Sequence, residues 1–258
     1  MSEESGHAGF SPGRGQSGVS DPPHFPDAAD KLVDTKSLDP FSGPTGVLLL
    51  ADGTRMQGRL FGSCGIGQGE IVFTTGMCGY QESMTDPSFR GQILTFTWPL
   101  LGNYGIHRGM SESSGLHPRG IVCRELMLNP DHRDSIGSVH EFLAAHNVPG
   151  ICDIDTRSLT RKVREHGTML AIFGPSEQEE EMAVLLDQME PPDKNDLVAE
   201  VTITKPVVIN PGALSAAGSP LRKLAVLDCG IKFNILRELC NRFEVMWCPA
   251  DMELQDIM

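Results

Sequence analysis

Between residues 45 and 98 the chain alternates short apolar runs with tight, glycine-rich turns: GVLLLADGTRMQGRLFG, then EIVFTTG, then GQILTFTW. Such runs, rich in β-branched and aromatic residues, suit a pleated surface and are too short for free-standing helices. Two of them flank Asp52-Gly53, a strong hairpin signal, because a type I′ turn needs residues that tolerate positive φ. RGIVCREL, VPGIC and TMLAIF add further strand candidates. Helical spacing enters late. SIGSVHEFLAAHN carries Val139, Phe142 and Leu143 on one face, and DIDTRSLTRKVREHG follows with Leu159 and Val163 aligned. Asp155 is the expected N-cap of that second helix and Gly167 its stop. SEQEEEMAVLLDQMEPPD reads as an acidic helix that packs through Met182, Leu185 and Leu186. Many strands followed by a few helices define one β-rich α+β domain over residues 45–190.

The flanks differ in character. Residues 1–44 are rich in Gly, Ser, Pro and Asp and poor in apolar anchors, so a disordered tail is expected there. VTITKPVVINPGALSAAGSPLR, with three prolines, makes residues 191–222 a linker by composition. Beyond it, KLAVLDCG, IKFNILRELCNRF and FEVMWC spell strand, helix and strand over residues 223–258. The strands are apolar throughout, as in a parallel sheet covered on both faces, and mark the opening of an α/β domain. A single βαβ unit buries too little surface to stand alone, so its sheet is expected to be poorly protected.

Charge and cysteine usage narrow the function. A formal net charge of -13 argues against a nucleic-acid backbone as main partner, which clustered Lys and Arg would be needed to hold. The seven cysteines are scattered without a C-x-x-C pair and the eight histidines lack ligand spacing, so no metal site is assigned. Buried free thiols are the expectation for a reducing compartment. No apolar run approaches the length of a membrane span, and the N-terminus lacks the layout of a secretory or transit signal. A soluble, cytoplasmic protein is expected.

Three tempting motifs do not carry chemistry. GSCGIGQGE lacks the G-x-G-x-x-G spacing and precedes a strand, so it is read as a turn between strands. Cys229 in LDCGIK sits at a strand end, where an α/β nucleophile could lie. An elbow prefers glycine two residues to either side, and Leu227 and Ile231 stand there instead. Cys229 is therefore read as a packing residue. Asp153, Asp155 and Arg157 could pose as a catalytic cluster, but a helix cap with Arg157 as its ion partner is the preferred reading.

The most unusual stretch is GMCGYQESMTDPSF, polar and tightly turning between two plain strands. Together with its flanks it resembles the N-terminal domain of the small subunit of glutamine-dependent carbamoyl-phosphate synthetase. The resemblance rests on Thr75, Met77, Gly79, Tyr80, Gln81, Glu82, Thr85, Asp86, Pro87 and Ser88, then Pro99, Gly102, Asn103 and Gly105. Phe89 stands where the family usually has Tyr. ESSGLHPRGIVCREL and HNVPGICDIDTRSLTRKVREHGTM resemble later blocks of the same domain, in order. VLDCGIKFNILREL resembles the first strand and helix of the fused triad-type, class I glutamine amidotransferase domain.

The resemblance implies a β-barrel-like, swivelling β/β/α domain followed by the first βαβ unit of an α/β amidotransferase domain. It implies a subunit that hydrolyses L-glutamine and passes ammonia to a large synthetase subunit. That partner would bind ATP and Mg and make carbamoyl phosphate from bicarbonate, feeding arginine and pyrimidine synthesis. No cofactor is expected on this chain. The family's Asp-Pro-Ser serine contacts glutamine across the domain boundary, which assigns that role to Ser88. A hydroxyl that both donates and accepts suits an amino-acid substrate, and Pro87 presets the turn that presents it. The family's G-x-C-x-G elbow and His-x-Glu pair have no counterpart in residues 1–258, so no catalytic residue is assigned and no glutaminase activity is expected of this chain alone. The competing expectation is a non-catalytic short form that docks on the synthetase subunit.

Overall fold

The computed structural model describes residues 25–32, 44–190, 194–215 and 218–257. Its strands, in chain order, are β1 (Thr45–Leu50), β2 (Arg55–Gly62), β3 (Gly67–Thr74), β4 (Gln92–Phe96), β5 (Leu100–Leu101), β6 (Gly120–Val122), β7 (Glu125–Leu126), β8 (Pro149–Cys152), β9 (Met169–Pro175), β10 (Val207–Ile209), β11 (Arg222–Asp228) and β12 (Phe243–Pro249). The helices are α1 (Tyr80–Met84), α2 (Val139–Ala145), α3 (Thr156–His166), α4 (Glu179–Gln188), α5 (Phe233–Cys240) and α6 (Leu254–Ile257).

Seven strands close into a barrel in the order β1-β2-β8-β6-β4-β3-β9, with β9 returning antiparallel to β1. Side chains alternate between its two faces, as strand geometry requires. Leu48, Leu50, Leu60, Ile71, Ile93, Val122, Ile151, Ala171 and Phe173 point inward and form one buried cluster, stoppered by Leu159 and Val163 of α3. Phe61, Leu94, Phe96 and Ile121 point outward and are covered by Val139, Phe142 and Leu143 of α2. Val47 and Ile172 point outward on the other side, under Met182 of α4. The period-2 pattern thus feeds three cores at once.

Local chemistry sets the element ends. α2 opens with a capping box, Ser138 Oγ accepting from Glu141 N at 3.2 Å while the Glu141 carboxylate takes Ser138 N at 2.7 Å. Asp155 caps α3 through Ser158 N, and Gly167 ends it at φ +82°, as the sequence implies. Cys64 and Gly65 turn the chain between β2 and β3, consistent with the expected strand-to-strand turn.

Several expectations need correction. The Asp52-Gly53 hairpin is no type I′ turn: of the two residues only Gly53 has positive φ, +83°. Leu50 O accepts from Gly53 N at 2.9 Å and Leu50 N donates to Thr54 O at 2.9 Å, a three-residue loop closed by a left-handed glycine. Part of the expected linker is a strand, β10, which pairs antiparallel with β12. The βαβ unit therefore has three strands in the order β10-β12-β11, its β11–β12 pair is parallel, and α5 covers one face. Within the expected tail, Phe25–Leu32 is packed structure with Ala28 and Ala29 fully buried. The remainder of residues 1–43 lies outside the described residues. Four cysteines are buried as expected, but Cys64, Cys78 and Cys229 are exposed.

Candidate functional site

The YQESMT run folds into α1, and its polar side chains hold the facing loop. Gln81, 1% exposed, pairs with one residue in both directions: its amide nitrogen donates to His107 O at 2.7 Å and its oxygen accepts from His107 N at 2.8 Å. Tyr80 Oη donates to Gly105 O at 2.7 Å, and burial, with Tyr104 beside it, pushes that phenol well above its ordinary pKa. Thr85 Oγ1 donates to Gln81 O at 2.8 Å and accepts from Glu112 N at 2.8 Å, while Ser113 Oγ donates to Thr85 O at 2.7 Å. The buried polar groups are paired, as their cost in a core demands. The result is a rigid seat for the next turn.

That turn is Asp86-Pro87-Ser88. Asp86 Oδ1 accepts from Ser88 N at 2.9 Å, so the aspartate, not the serine, caps the short 3₁₀ turn. Pro87 is buried, whereas Ser88 is exposed and its hydroxyl has no hydrogen-bond partner among the described residues. The other Asp86 oxygen pairs with Lys232 Nζ at 2.7 Å, at the N-cap of α5, and that carboxylate is only 9% exposed. A Cβ on Gly230, whose φ is +94°, would lie 3.1 Å from Pro87 Cβ. The Asp-Cys-Gly turn after β11 thus abuts the Asp-Pro-Ser turn of the barrel. Glu112 completes the junction: its carbonyl accepts from Phe233 N at 2.9 Å and its carboxylate from Asn234 N at 2.9 Å, satisfying the free amides that open α5.

A cleft of about 600 Å³ runs along this junction, lined by Pro87, Arg90, Ser113, His117, Asp228 and Trp247 among others. Ser88 does not line it. His117 Nε2 lies 2.8 Å from Ser113 Oγ, and burial, reinforced by the Arg90 charge, lowers this histidine to about 4. Asp228, 1% exposed, accepts from Gly230 N and Ile231 N, each at 3.0 Å, and from Ile203 N at 2.8 Å. It locks the turn that carries Cys229. Cys229 itself is exposed, not packed as expected. Asp153 forms an ion pair with Arg59, and Asp155 caps α3, but Arg157 pairs with no carboxylate among the described residues. These three residues are brought into no common site. Sequence reading missed Asp86, Glu112 and Lys232 as junction residues; the only available signal was an aspartate directly before Pro87.

A profile of the carbamoyl-phosphate synthase small chain, CPSase domain, matches residues 48–173, from within β1 to within β9 of the barrel, the Ser88 turn included. The chain belongs to the carbamoyl-phosphate synthase small-chain family. It is 42% identical over 217 residues to the carbamoyl phosphate synthase small chain of Methanosarcina mazei, covering 82% of this chain and 58% of that one. The corresponding protein of Oceanobacillus iheyensis is 44% identical over 195 residues, 76% of this chain and 51% of its own length. The Multifunctional protein CAD of Squalus acanthias is 42% identical over 204 residues, 76% of this chain and 9% of that protein. This member of the small-chain family thus spans a little over half the length of its curated small-chain relatives. Among the described residues no helix is long and apolar enough to cross a membrane, and no group of three His, Cys, Asp or Glu could hold a metal ion.

Proposed function

We propose that this chain acts in the glutamine-handling small subunit of a carbamoyl-phosphate synthase, with Ser88 contacting L-glutamine. Its partner is the large subunit that binds ATP and Mg and receives the ammonia for carbamoyl phosphate synthesis, in the cytoplasm, for arginine and pyrimidine production. β11, α5 and β12 are the first βαβ unit of the amidotransferase domain. One observation carries the reading of Ser88. The turn is capped by Asp86 and braced by Lys232, so the serine hydroxyl contributes nothing to the turn and stays available at the edge of the second unit. A serine serving only as a cap would have spent its oxygen on a backbone amide.

The test uses a small chain with its amidotransferase domain complete, assembled with the large subunit. Ser88→Ala removes a hydrogen bond to a charged ligand group, worth roughly 1.5–3 kcal/mol, or about a ten- to hundredfold rise in the KM for glutamine. Synthesis driven by added ammonia stays near the parent level. Equal losses with glutamine and ammonia would refute the assignment, as would an unchanged KM in a stable variant.

A second reading, a docking module without glutaminase activity, rests on Cys229. It is exposed at the turn between β11 and α5, and it makes no hydrogen bond to a histidine among the described residues. Glutamine hydrolysis by the purified 258-residue chain would overturn that reading.

A further inference from the structure

The segment Phe25–Leu32 lies outside the family-matched residues 48–173, yet it touches both halves of the molecule. At one end the Phe25 ring stacks on Phe233 of α5, with centroids 4.8 Å apart and planes 18° from parallel. It meets Trp247 of β12 edge-on at 6.4 Å, and the Arg237 guanidinium sits 5.9 Å from its centroid. At the other end Ala28 and Ala29 are fully buried in the core beneath α2, and Leu32 packs beside them. His146 Nε2 donates to Ala28 O at 2.9 Å. Between the two ends, Asp27 caps its own turn through Ala29 N at 2.9 Å and also accepts from Gly109 N and Ser111 Oγ. Arg108 pairs with Asp30 at 3.0 Å.

The loop that receives Asp27 is the same loop that receives α5. Ser111 O accepts from Arg237 at 3.3 Å, and Glu112 caps the helix with both its carbonyl and its carboxylate. Loop 108–112 is therefore layered between the N-terminal segment and α5. An ordering cost falls on any such segment, and a chain stretch poor in apolar residues meets it only through contacts at both ends. Phe25 also closes the apolar cluster of Phe233 and Trp247, on a unit whose own three strands and one long helix give it little core.

We propose that Phe25–Leu32 is a clamp that fixes the orientation of the βαβ unit on the barrel, with Phe25 as its positioning residue. It acts on the Ser88 turn only through Phe233 and α5, and its test does not depend on glutamine being the ligand.

Amide hydrogen exchange is to be followed on the full chain with Phe25→Ala, with residues 1–32 deleted, and with Phe25→Tyr. Loss of the stacked ring should speed exchange in residues 222–249 by about tenfold, through easier local opening. In Phe25→Ala, which leaves Ala28 and Ala29 in place, barrel strands β1 and β2 should stay as protected as in the parent. In a Trp98→Phe background, the emission of Trp247 should shift to the red in Phe25→Ala and return in Phe25→Tyr. Unchanged exchange in residues 222–249 after Phe25→Ala and after the deletion would overturn the proposal. So would equal acceleration in the barrel of Phe25→Ala, which would mark a general loss of stability, or failure of Phe25→Tyr to restore protection.

Discussion

Phe173 shows how much one residue can demand of its neighbours. Its ring fills the barrel interior, and a Cβ built on either Gly67 or Gly120 would come within 2.4 Å of it. Neither glycine has a left-handed φ, so both are required by proximity, not by backbone conformation. Gly120→Ala should cost about 1–3 kcal/mol by overpacking. The cost should shrink in a Phe173→Leu background, and urea unfolding of the four proteins measures that coupling. Equal costs in both backgrounds would show that the ring is not what excludes the methyl. The sequence placed Gly67 in a turn and Gly120 in a strand candidate, and nothing local to either reveals a ring arriving from a distant strand, about a hundred residues away in the case of Gly67. The Asp86-Pro87-Ser88 turn was legible for a different reason: its residues form a recognisable motif. Its brace was not, since Asp86 and Lys232 are far apart in the chain and meet only through the fold.

The barrel strands and α3 were read correctly from their local patterns, although the strands pair with partners distant in the chain; β10 and the form of the Asp52-Gly53 turn were not. α3 carries its own cap, amphipathic face and glycine stop, so Thr156–His166 was visible from sequence. Asp155→Ala should therefore cost about 1 kcal/mol through loss of the cap. Arg157→Ala should fall within about 0.5 kcal/mol of the parent, since that exposed side chain has no carboxylate partner among the described residues. Thermal unfolding of the two variants distinguishes them, and a larger loss for Arg157→Ala would restore it as a structural ion partner. β10 was hidden because Val207–Ile209 is only three residues long and borders prolines. Its reason for being a strand lies in β12, with which Val207 pairs at Trp247 and Ile209 at Val245. The Asp52-Gly53 hairpin was found but given the wrong turn, since one added loop residue lets Asp52 keep negative φ and leaves the left-handed position to Gly53 alone.

At the scale of the whole molecule, barrel and βαβ unit meet across a junction whose stability must depend on pH. His117 sits at that junction, and its protonation state follows from its partners. Ser113 Oγ donates to Thr85 O, so His117 Nε2 must carry the proton that it shares with Ser113 at 2.8 Å. That leaves Nδ1 bare, buried and without a hydrogen-bond partner. A proton added there would place an unpaired charge in the junction near Arg90, and Asp86 only partly offsets this, so the pKa falls from 6.5 to about 4. The unfolded chain therefore binds the proton more readily between these values, and stability drops as pH falls through the window. The linkage relation gives a loss of about 2 kcal/mol between pH 7 and pH 5 from this group, with the contribution complete above its unfolded pKa. Burial lowers His140 and His146 in the same direction, so they add to the slope without changing its sign. Asp52, held at about 2 chiefly by its hydrogen bond to Lys162, acts lower, its contribution fading only as pH drops below the ordinary carboxylate range. His117→Gln keeps a donor for Ser113 but cannot titrate. Urea unfolding at pH 7 and pH 5 should show the parent losing about 2 kcal/mol more than this variant between the two conditions. Parallel losses in the two proteins would mean that His117 is already protonated in the folded junction, and that Nδ1 has found a partner the geometry does not show.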